Sequence, residues 1–184
     1  MPKIINNLPE RILAEAKDCF EKYGFEEAEM DLIAGQADIA VGTIYNYFPN
    51  KTELFLATLE RSWRELEEEL DLLCSDSEDP VCKLKTTIEA YYRFVEQKRG
   101  LIEEFQERHH GLHSRQLDAL RRLEGIISEI FVEKGIQGLE GQDIKRIAVS
   151  IQAPTFALLQ KYPGEKDENI EFIFNLIDNY FQGL

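Results

Sequence analysis

The sequence contains 184 residues, of which 43% are hydrophobic and 30% are charged, enough for one or two hydrophobic cores and unlike a disordered tail. Three cysteines are too few for a disulfide scaffold, and no apolar run reaches the ~18 residues of a membrane span. The N-terminus lacks the apolar stretch of a signal peptide, so we expect a cytoplasmic protein without a membrane segment. The net charge of −14, taken alone, argues against a polyanionic partner.

Glycine and proline are sparse, and the intervals between them are typical of helices, so we predict an all-α protein. The first predicted helix runs from Pro9 to Gly24, which ends it, and the second runs over Met30–Ala37. An apolar stripe predicts one long helix over Lys51–Cys74. Asp79 before Pro80 is typical of a helix start. The later predicted helices are Pro80–Lys98, Leu101–His110, Ser114–Lys134, Gln142–Tyr162 and Glu165–Gln182.

The last two predicted helices have unusually wide apolar faces. A helix that is apolar on two sides needs two neighbours. The pattern is compatible with two arrangements: both helices lie in the centre of the monomer, or two helices from each of two chains form a four-helix bundle. Spacing alone leaves both open.

Residues 39–48 carry two competing patterns. The alternation of β-branched and aromatic residues predicts a strand, whereas the spacing of Ala40, Ile44 and Phe48 predicts a helix. An isolated strand would leave its backbone groups unpaired, so we predict a short helix with Ile44 and Phe48 facing inward. Residues that then face outward in part are Val41, Gly42, Thr43, Tyr45, Asn46 and Tyr47.

Asn50 and Glu53 have the spacing of a capping box at the start of the long helix. Lys51 then lies beside the positive end of the helix dipole, where a cation is slightly unfavourable. An anion such as phosphate, bound at this helix start, would reverse that effect. The alternative is a solvated lysine without a role.

Several motifs together resemble the DNA-binding domain of the TetR family of transcriptional regulators, over about residues 8–55. They are Phe20-x3-Gly24-Phe25, Leu32-Ile33-Ala34 and the run Gly42-Thr43-Ile44-Tyr45-Asn46-Tyr47-Phe48-Pro49-Asn50-Lys51-Thr52-Glu53-Leu54.

The resemblance implies a three-helix helix-turn-helix domain over residues 1–50, whose recognition helix, about 40–48, enters the major groove. It also implies a helical-bundle regulatory domain over 51–184 that dimerises through helices at about 142–162 and 165–182. The implied partners are a double-stranded DNA operator and a small apolar or aromatic effector. The resemblance implies a repressor that leaves the operator when the effector binds. No cofactor is implied. Base edges would be contacted by Val41, Gly42 and Thr43, phosphates by Tyr45, Tyr47 and Lys51, and either by Asn46.

The sequence departs from the family pattern in its acidic residues. Glu29 stands where family members commonly carry a small hydroxylic residue, and Asp38-Ile39-Ala40 replaces the usual Gly-Val-Ser turn. Residues 1–60 contain five basic and eleven acidic residues, a net charge of −6. This charge favours an alternative in which the chain is a helical ligand-binding or protein-interaction module with weakened or lost DNA binding.

Aromatic residues after position 60 are numerous enough to line an effector pocket, and Pro154 is expected to open space beside its helix. The predicted effector set is Trp63, Tyr91, Tyr92, Phe105 and His109.

The remaining clusters favour ordinary roles. His109, His110 and His113 have a spacing found in metal sites, but Gly111 interrupts them and we predict no metal. Cys74 and Cys82 flank an acidic linker and are either inert thiols or a redox pair. No combination of nucleophile, paired carboxylates or phosphate loop indicates catalysis, so we predict that the chain is not an enzyme.

Overall fold

The computed structural model describes residues 7–75, 79–108, 121, 123–125, 127–128 and 141–182. Within these ranges all regular secondary structure is helical, and no helix is both long and apolar enough to cross a bilayer. The helices are α1 (Leu8–Glu27), α2 (Met30–Gln36), α3 (Val41–Tyr45), α4 (Lys51–Ser75), α5 (Pro80–Arg108), α6 (Gly141–Lys161) and α7 (Lys166–Gln182). The prediction of an all-α fold is therefore confirmed.

Most predicted helix boundaries agree with the structure within one to three residues, and the segment 39–48 contains the short helix α3 rather than a strand. Gly24 interrupts α1 as expected: its φ of 78° and ψ of 173° are accessible essentially only to glycine, and the chain adds one more turn before α1 ends. Asp79 caps α5 by accepting a hydrogen bond from the amide of Val81 at 3.1 Å. The helix predicted over Ser114–Lys134 lies mostly outside the described residues.

Gly100 does not end a helix, and this prediction was wrong. α5 continues through Gly100 to Arg108, so the two helices expected over Pro80–Lys98 and Leu101–His110 are one. A glycine inside a helix costs only about 1 kcal/mol relative to alanine. Val95 and Lys98, in the turn before the glycine, are buried, and their packing offsets that cost.

The chain divides into two compact units. Among the described residues, the first comprises 7–65 and 98–108, and the second comprises 66–97 with the later helical segments. The functional boundary between residues 50 and 51 stays a prediction.

Three phenylalanine rings form the centre of the first unit. Phe55 lies with its ring centroid 5.2 Å from those of both Phe20 and Phe25, edge-on to each. Ile33 of α2 and Ile44 of α3 are fully buried in the same unit. Aromatic rings in this edge-to-face arrangement contribute more than their buried area alone. The aromatic centre thus joins α1 to α4, while α2 packs against both α1 and α3.

Ion pairs join α1 to the middle of α4. Lys17 Nζ lies 2.7 Å from Glu65 Oε2, and Arg61 Nε lies 2.9 Å from Glu65 Oε1. Arg61 also donates to the carbonyl of Glu10 at 2.6 Å. Partial burial raises the pKa of Glu65, but the hydrogen bonds from Lys17 and Arg61 outweigh it and hold that pKa below its ordinary value.

Glu65→Gln should lower the unfolding free energy at pH 7 by about 1 kcal/mol or less, because the pair is partly exposed. A carboxyl whose pKa is depressed in the folded protein stabilises it above the unfolded pKa of about 4.3, and this contribution is lost as the pH falls through the folded pKa. Urea unfolding between pH 3 and 7 should therefore show the variant converging with wild type in acid. The exposed Glu68 of the same helix provides the control, Glu68→Gln, and an equal effect of both substitutions would contradict the prediction.

The second unit is organised around buried tyrosines of α5. Tyr92 is fully buried, and its hydroxyl accepts a hydrogen bond from Asn169 Nδ2 at 2.9 Å. The same amide donates to the carbonyl of Tyr162, between α6 and α7, at 2.8 Å. Burial raises the pKa of Tyr91 well above its ordinary range, and the hydrogen bond with Gln152 only partly offsets this effect. The phenol of Tyr91 therefore remains a neutral hydrogen-bonding group.

Candidate nucleic-acid interface

The helix α3 is short and held from one side. Ile44 is fully buried, while Tyr45 and Tyr47 are 49% and 47% exposed. The helix bonding extends past Tyr45, because the amide of Phe48 donates to the carbonyl of Ile44 at 2.9 Å, and Pro49 then ends it. Phe48 is only half-buried. The structure thus places both predicted tyrosines on an exposed face.

The turn between α2 and α3 forms without the glycine that the family pattern has there. Asp38 adopts the left-handed conformation, with φ of 49°, which aspartate tolerates better than most side chains. The amide of Ala37 donates to the carbonyl of Ile33 at 2.9 Å, and that of Ile39 donates to the carbonyl of Ala34 at 3.0 Å. These bonds fix the direction in which α3 leaves the turn.

The residues predicted to contact base edges lie around the start of α3. Gly42 is exposed, and an added Cβ there would meet no atom within 4 Å. Val41 and Thr43 are half-buried, and Asn46 is exposed just after the helix. The first residues of α3 are therefore uncharged and carry a single hydroxyl group, that of Thr43.

Lys51 is not a free surface lysine. Its Nζ donates to the carbonyl of Glu26 at 2.8 Å, lies 5.0 Å from the centroid of the Phe25 ring, and lies 3.9 Å from Glu29 Oε1. The predicted cap is confirmed, since the amide of Glu53 donates to Asn50 Oδ1 at 2.9 Å. The start of α4 is thereby tied to the end of α1.

Three further cations among the described residues of the N-terminal region also have partners within the chain. Arg11 donates to the carbonyl of Ala37, Lys17 pairs with Glu65, and the ammonium of Lys22 lies 4.8 Å from the centroid of the Tyr23 ring. Sequence spacing cannot reveal these contacts, because Arg11 and Lys17 find their partners 26 and 48 residues away. The exposed side-chain donors at α3 are therefore uncharged: the hydroxyls of Tyr45 and Tyr47 and the amide of Asn46.

The pair α2 and α3, joined by the turn at 37–40 and supported by α1, defines a helix-turn-helix domain. Residues 12–58 match the family described as bacterial regulatory proteins, tetR family. Residues 12–58 therefore form a helix-turn-helix domain of the TetR type, which confirms the resemblance, and the fold is the predicted N-terminal helix-turn-helix followed by a helical domain.

Relatives extend beyond this domain. The chain is 25% identical to the transcriptional repressor KstR of Mycobacterium tuberculosis over 138 residues, which cover 75% of this chain and 63% of KstR. A TetR-like transcriptional regulator from Rhodococcus sp. RHA1 superimposes with a TM-score of 0.64 at 23% identity, covering 100% of both chains. The transcriptional regulator FadR from Bacillus subtilis, solved in complex with stearoyl-CoA, gives a TM-score of 0.62 at 20% identity, covering 90% of this chain and 97% of FadR.

The predicted effector residues occupy different environments. Tyr91 and Tyr92 are buried and hydrogen-bonded to α6 and α7, and Trp63 is half-buried on α4 in the first unit. The side chain of Phe105 and all of His109 lie outside the described residues. The role of this set as an effector site stays a prediction.

A groove of about 560 Å³ lies between α5 and α7 in the second unit. None of the predicted effector residues lines it, and its walls are mixed in charge rather than apolar. The lining residues are Lys85, Glu89, Arg93, Lys166, Asp167, Ile170, Glu171, Phe174 and Asn175.

The other candidate clusters are only partly described. Cys82 is exposed, whereas the side chain of Cys74 and the three histidines lie outside the described residues. Cys19 is buried, as its place on the apolar stripe of α1 suggests, and its thiol donates to Gln36 Oε1 at 2.8 Å. Within the described part of the chain, no group of three or more metal-ligating side chains could hold an ion.

Proposed function

We propose that this protein is a ligand-responsive DNA-binding transcriptional regulator, a repressor that a small effector releases from its operator. It acts without a catalytic step, and as an operator-binding protein it acts in the cytoplasm. The observation that carries the proposal is the pair of exposed tyrosines on a helix anchored by the fully buried Ile44. A neutral phenol hydroxyl can donate to a phosphate oxygen, and half the contacts or more in protein–DNA interfaces are of this positioning kind.

In this proposal α3 enters the major groove, with sequence read at its first residues. Val41 and the methyl group of Thr43 can contact thymine methyl groups, and the amide of Asn46 can bind a base edge or a phosphate. Gly42 leaves open space for close approach of the groove wall. Tyr45, Tyr47 and Lys51 bind the backbone and fix the register.

The proposal includes a homodimer formed through α6 and α7. One face of α6 is buried, with Ile147 and Ile151 among its residues, while Val149 on the opposite side is exposed. On α7, Phe172 is 55% exposed, and Leu176 lies one turn further along the same face. Large apolar side chains grouped on adjacent helices are typical of an interface. A two-fold dimer would bring two helix-turn-helix domains to two half-sites of one duplex.

Phe172→Glu should weaken this dimer by on the order of 100-fold or more, because two buried phenylalanines, each contributing about 1.5–3 kcal/mol, are replaced by charges across the symmetry axis. Sedimentation velocity over a range of protein concentrations measures the change. Val81→Glu introduces the same charge at another exposed apolar position and serves as control. A variant at Phe172 that sediments like wild type would remove this interface from the proposal.

The effector we propose is a small apolar or aromatic molecule bound in the helical domain. The acyl chain in the FadR complex is an apolar ligand, and KstR carries the designation repressor, which supports the release mechanism. An effector acts only through its preference for one of two conformations. In this proposal it prefers the conformation in which the spacing of the two helix-turn-helix domains no longer matches that of the half-sites.

A second candidate is favoured by the charge of the N-terminal region. With a net charge of −6 over residues 1–60 and with Arg11, Lys17, Lys22 and Lys51 partnered within the chain, the interface offers little counterion release. The alternative is a helical ligand-binding or protein-interaction module whose DNA binding is weakened or lost.

Selection of bound fragments from the source genome at low salt distinguishes the two candidates. The regulator should enrich fragments that share two half-sites, centred about one helical turn or a multiple apart. Candidate effectors can then be tested for release of the selected fragment. Enrichment no greater than that obtained with protein-free resin would overturn the regulator and favour the interaction module.

A further inference from the structure

The ammonium of Lys51 is fixed before any DNA arrives. It donates to the carbonyl of Glu26 at 2.8 Å and lies 5.0 Å from the centroid of the Phe25 ring, and its side chain is only 20% exposed. A lysine ammonium has three N–H donors, so the Glu26 carbonyl leaves two for other acceptors.

Glu29 lies on the solvent side of this ammonium. Its carboxylate oxygen is 3.9 Å from Lys51 Nζ, and its side chain is 71% exposed. Carboxylate and phosphate oxygens are the same kind of acceptor for an ammonium. A phosphate that approaches Lys51 from solvent therefore meets the negative charge of Glu29 beside the donors that it needs.

We infer that Glu29 competes with the DNA backbone for Lys51 and restrains the affinity of the interface. This inference rests on the proposed DNA-binding function. When a duplex binds, the weak pair between Lys51 and Glu29 is exchanged for a phosphate contact, and the carboxylate is left next to the phosphate. Part of the attraction of Lys51 is thereby cancelled. Glu29 thus sets how tightly, rather than where, the protein binds.

Glu29→Gln removes the charge and keeps the shape of the side chain. The probe is a short fluorescein-labelled DNA duplex of mixed sequence, titrated at several salt concentrations and followed by anisotropy. We expect the variant to bind about two- to fivefold more tightly than wild type. The slope of log K against log salt should also steepen, by no more than about 0.9, because the carboxylate no longer cancels part of the attraction between Lys51 and the phosphate.

Two further variants separate this local effect from a change in net charge. Glu27→Gln removes the same charge from an exposed neighbour at the end of α1, and it should give a smaller gain and no steeper slope. In a Lys51→Met background, Glu29→Gln should gain no more than Glu27→Gln does. Circular dichroism checks that each variant is folded.

The outcomes distinguish the inference from the proposed function. If wild type binds and Glu29→Gln gains no more than Glu27→Gln, or gains as much without Lys51, the inference is overturned and the function stands. If only Glu29→Gln binds, the inference is supported and wild type is the non-binding module. Binding by neither protein at low salt overturns both.

Discussion

Phe55→Ala should lower the free energy of unfolding by about 3–5 kcal/mol, the range for truncation of a fully buried aromatic side chain. Phe55 is completely buried, and both of its ring partners, Phe20 and Phe25, belong to α1. The substitution leaves a cavity where α1 and α4 meet. Against a typical total of 5–15 kcal/mol, this loss is large enough to populate unfolded protein under native conditions.

Urea unfolding at one fixed protein concentration measures the effect, because the proposed dimerisation would make stability depend on concentration. Phe55→Leu should cost about 1.5 kcal/mol or less, since most of the volume is kept. Leu73→Ala truncates an exposed apolar side chain of the same helix and should change stability by about 0.5 kcal/mol or less. Equal midpoints for Phe55→Ala and Leu73→Ala would show that the aromatic centre does not hold the unit together.

The double substitution Tyr45→Phe/Tyr47→Phe should weaken DNA binding by about 100-fold. Each exposed hydroxyl is expected to donate to a phosphate, and loss of one such bond costs about 1.5 kcal/mol. Both rings stay in place, so stability should be unchanged. No charge is removed, and the slope of log K against log salt should therefore stay that of wild type.

The DNA probe for this binding measurement is the fragment selected from the genome. Tyr162→Phe removes an equally exposed hydroxyl from the second unit and serves as the control. If the double variant binds as tightly as the control, the tyrosines do not contact the backbone, and the single observation that carries the proposed function loses its force. A steeper salt dependence for the double variant would also contradict the neutral-donor contact.

The helices could be predicted from the sequence because they depend on neighbouring residues. The apolar stripe of α4 and the interruption of α1 at Gly24 each depend on residues within one or two turns. The structure has both features where they were predicted. Gly100 was misjudged for the opposite reason. Its small local cost is outweighed by burial of the turn before it, and burial depends on helices far away in the chain.

The features of the candidate site likewise fall into those set by neighbouring residues, which could be predicted, and those set by distant residues, which could not. The exposed face of α3 was predictable, because burial of Ile44 follows from the local spacing. The contacts of Lys51 were not, since the carbonyl that it binds belongs to Glu26, on another helix. Tyr91 and Tyr92 were assigned to an effector pocket as aromatic residues, but only the packing of α6 and α7 shows that their hydroxyls hold helices together.

The amide of Asn169 joins a phenol of α5 to the corner between the last two helices, and those helices carry the apolar face of the proposed dimer. Any event that rotates Tyr92 must break or stretch this bond, and in the proposed dimer a resulting shift of α6 or α7 would change the free energy of subunit association. By linkage the effect is reciprocal. Binding of a second subunit to α6 and α7 must change the free-energy difference between the positions of Tyr92 by the same amount. In the proposed dimer, each chain therefore senses the state of α5 in the other.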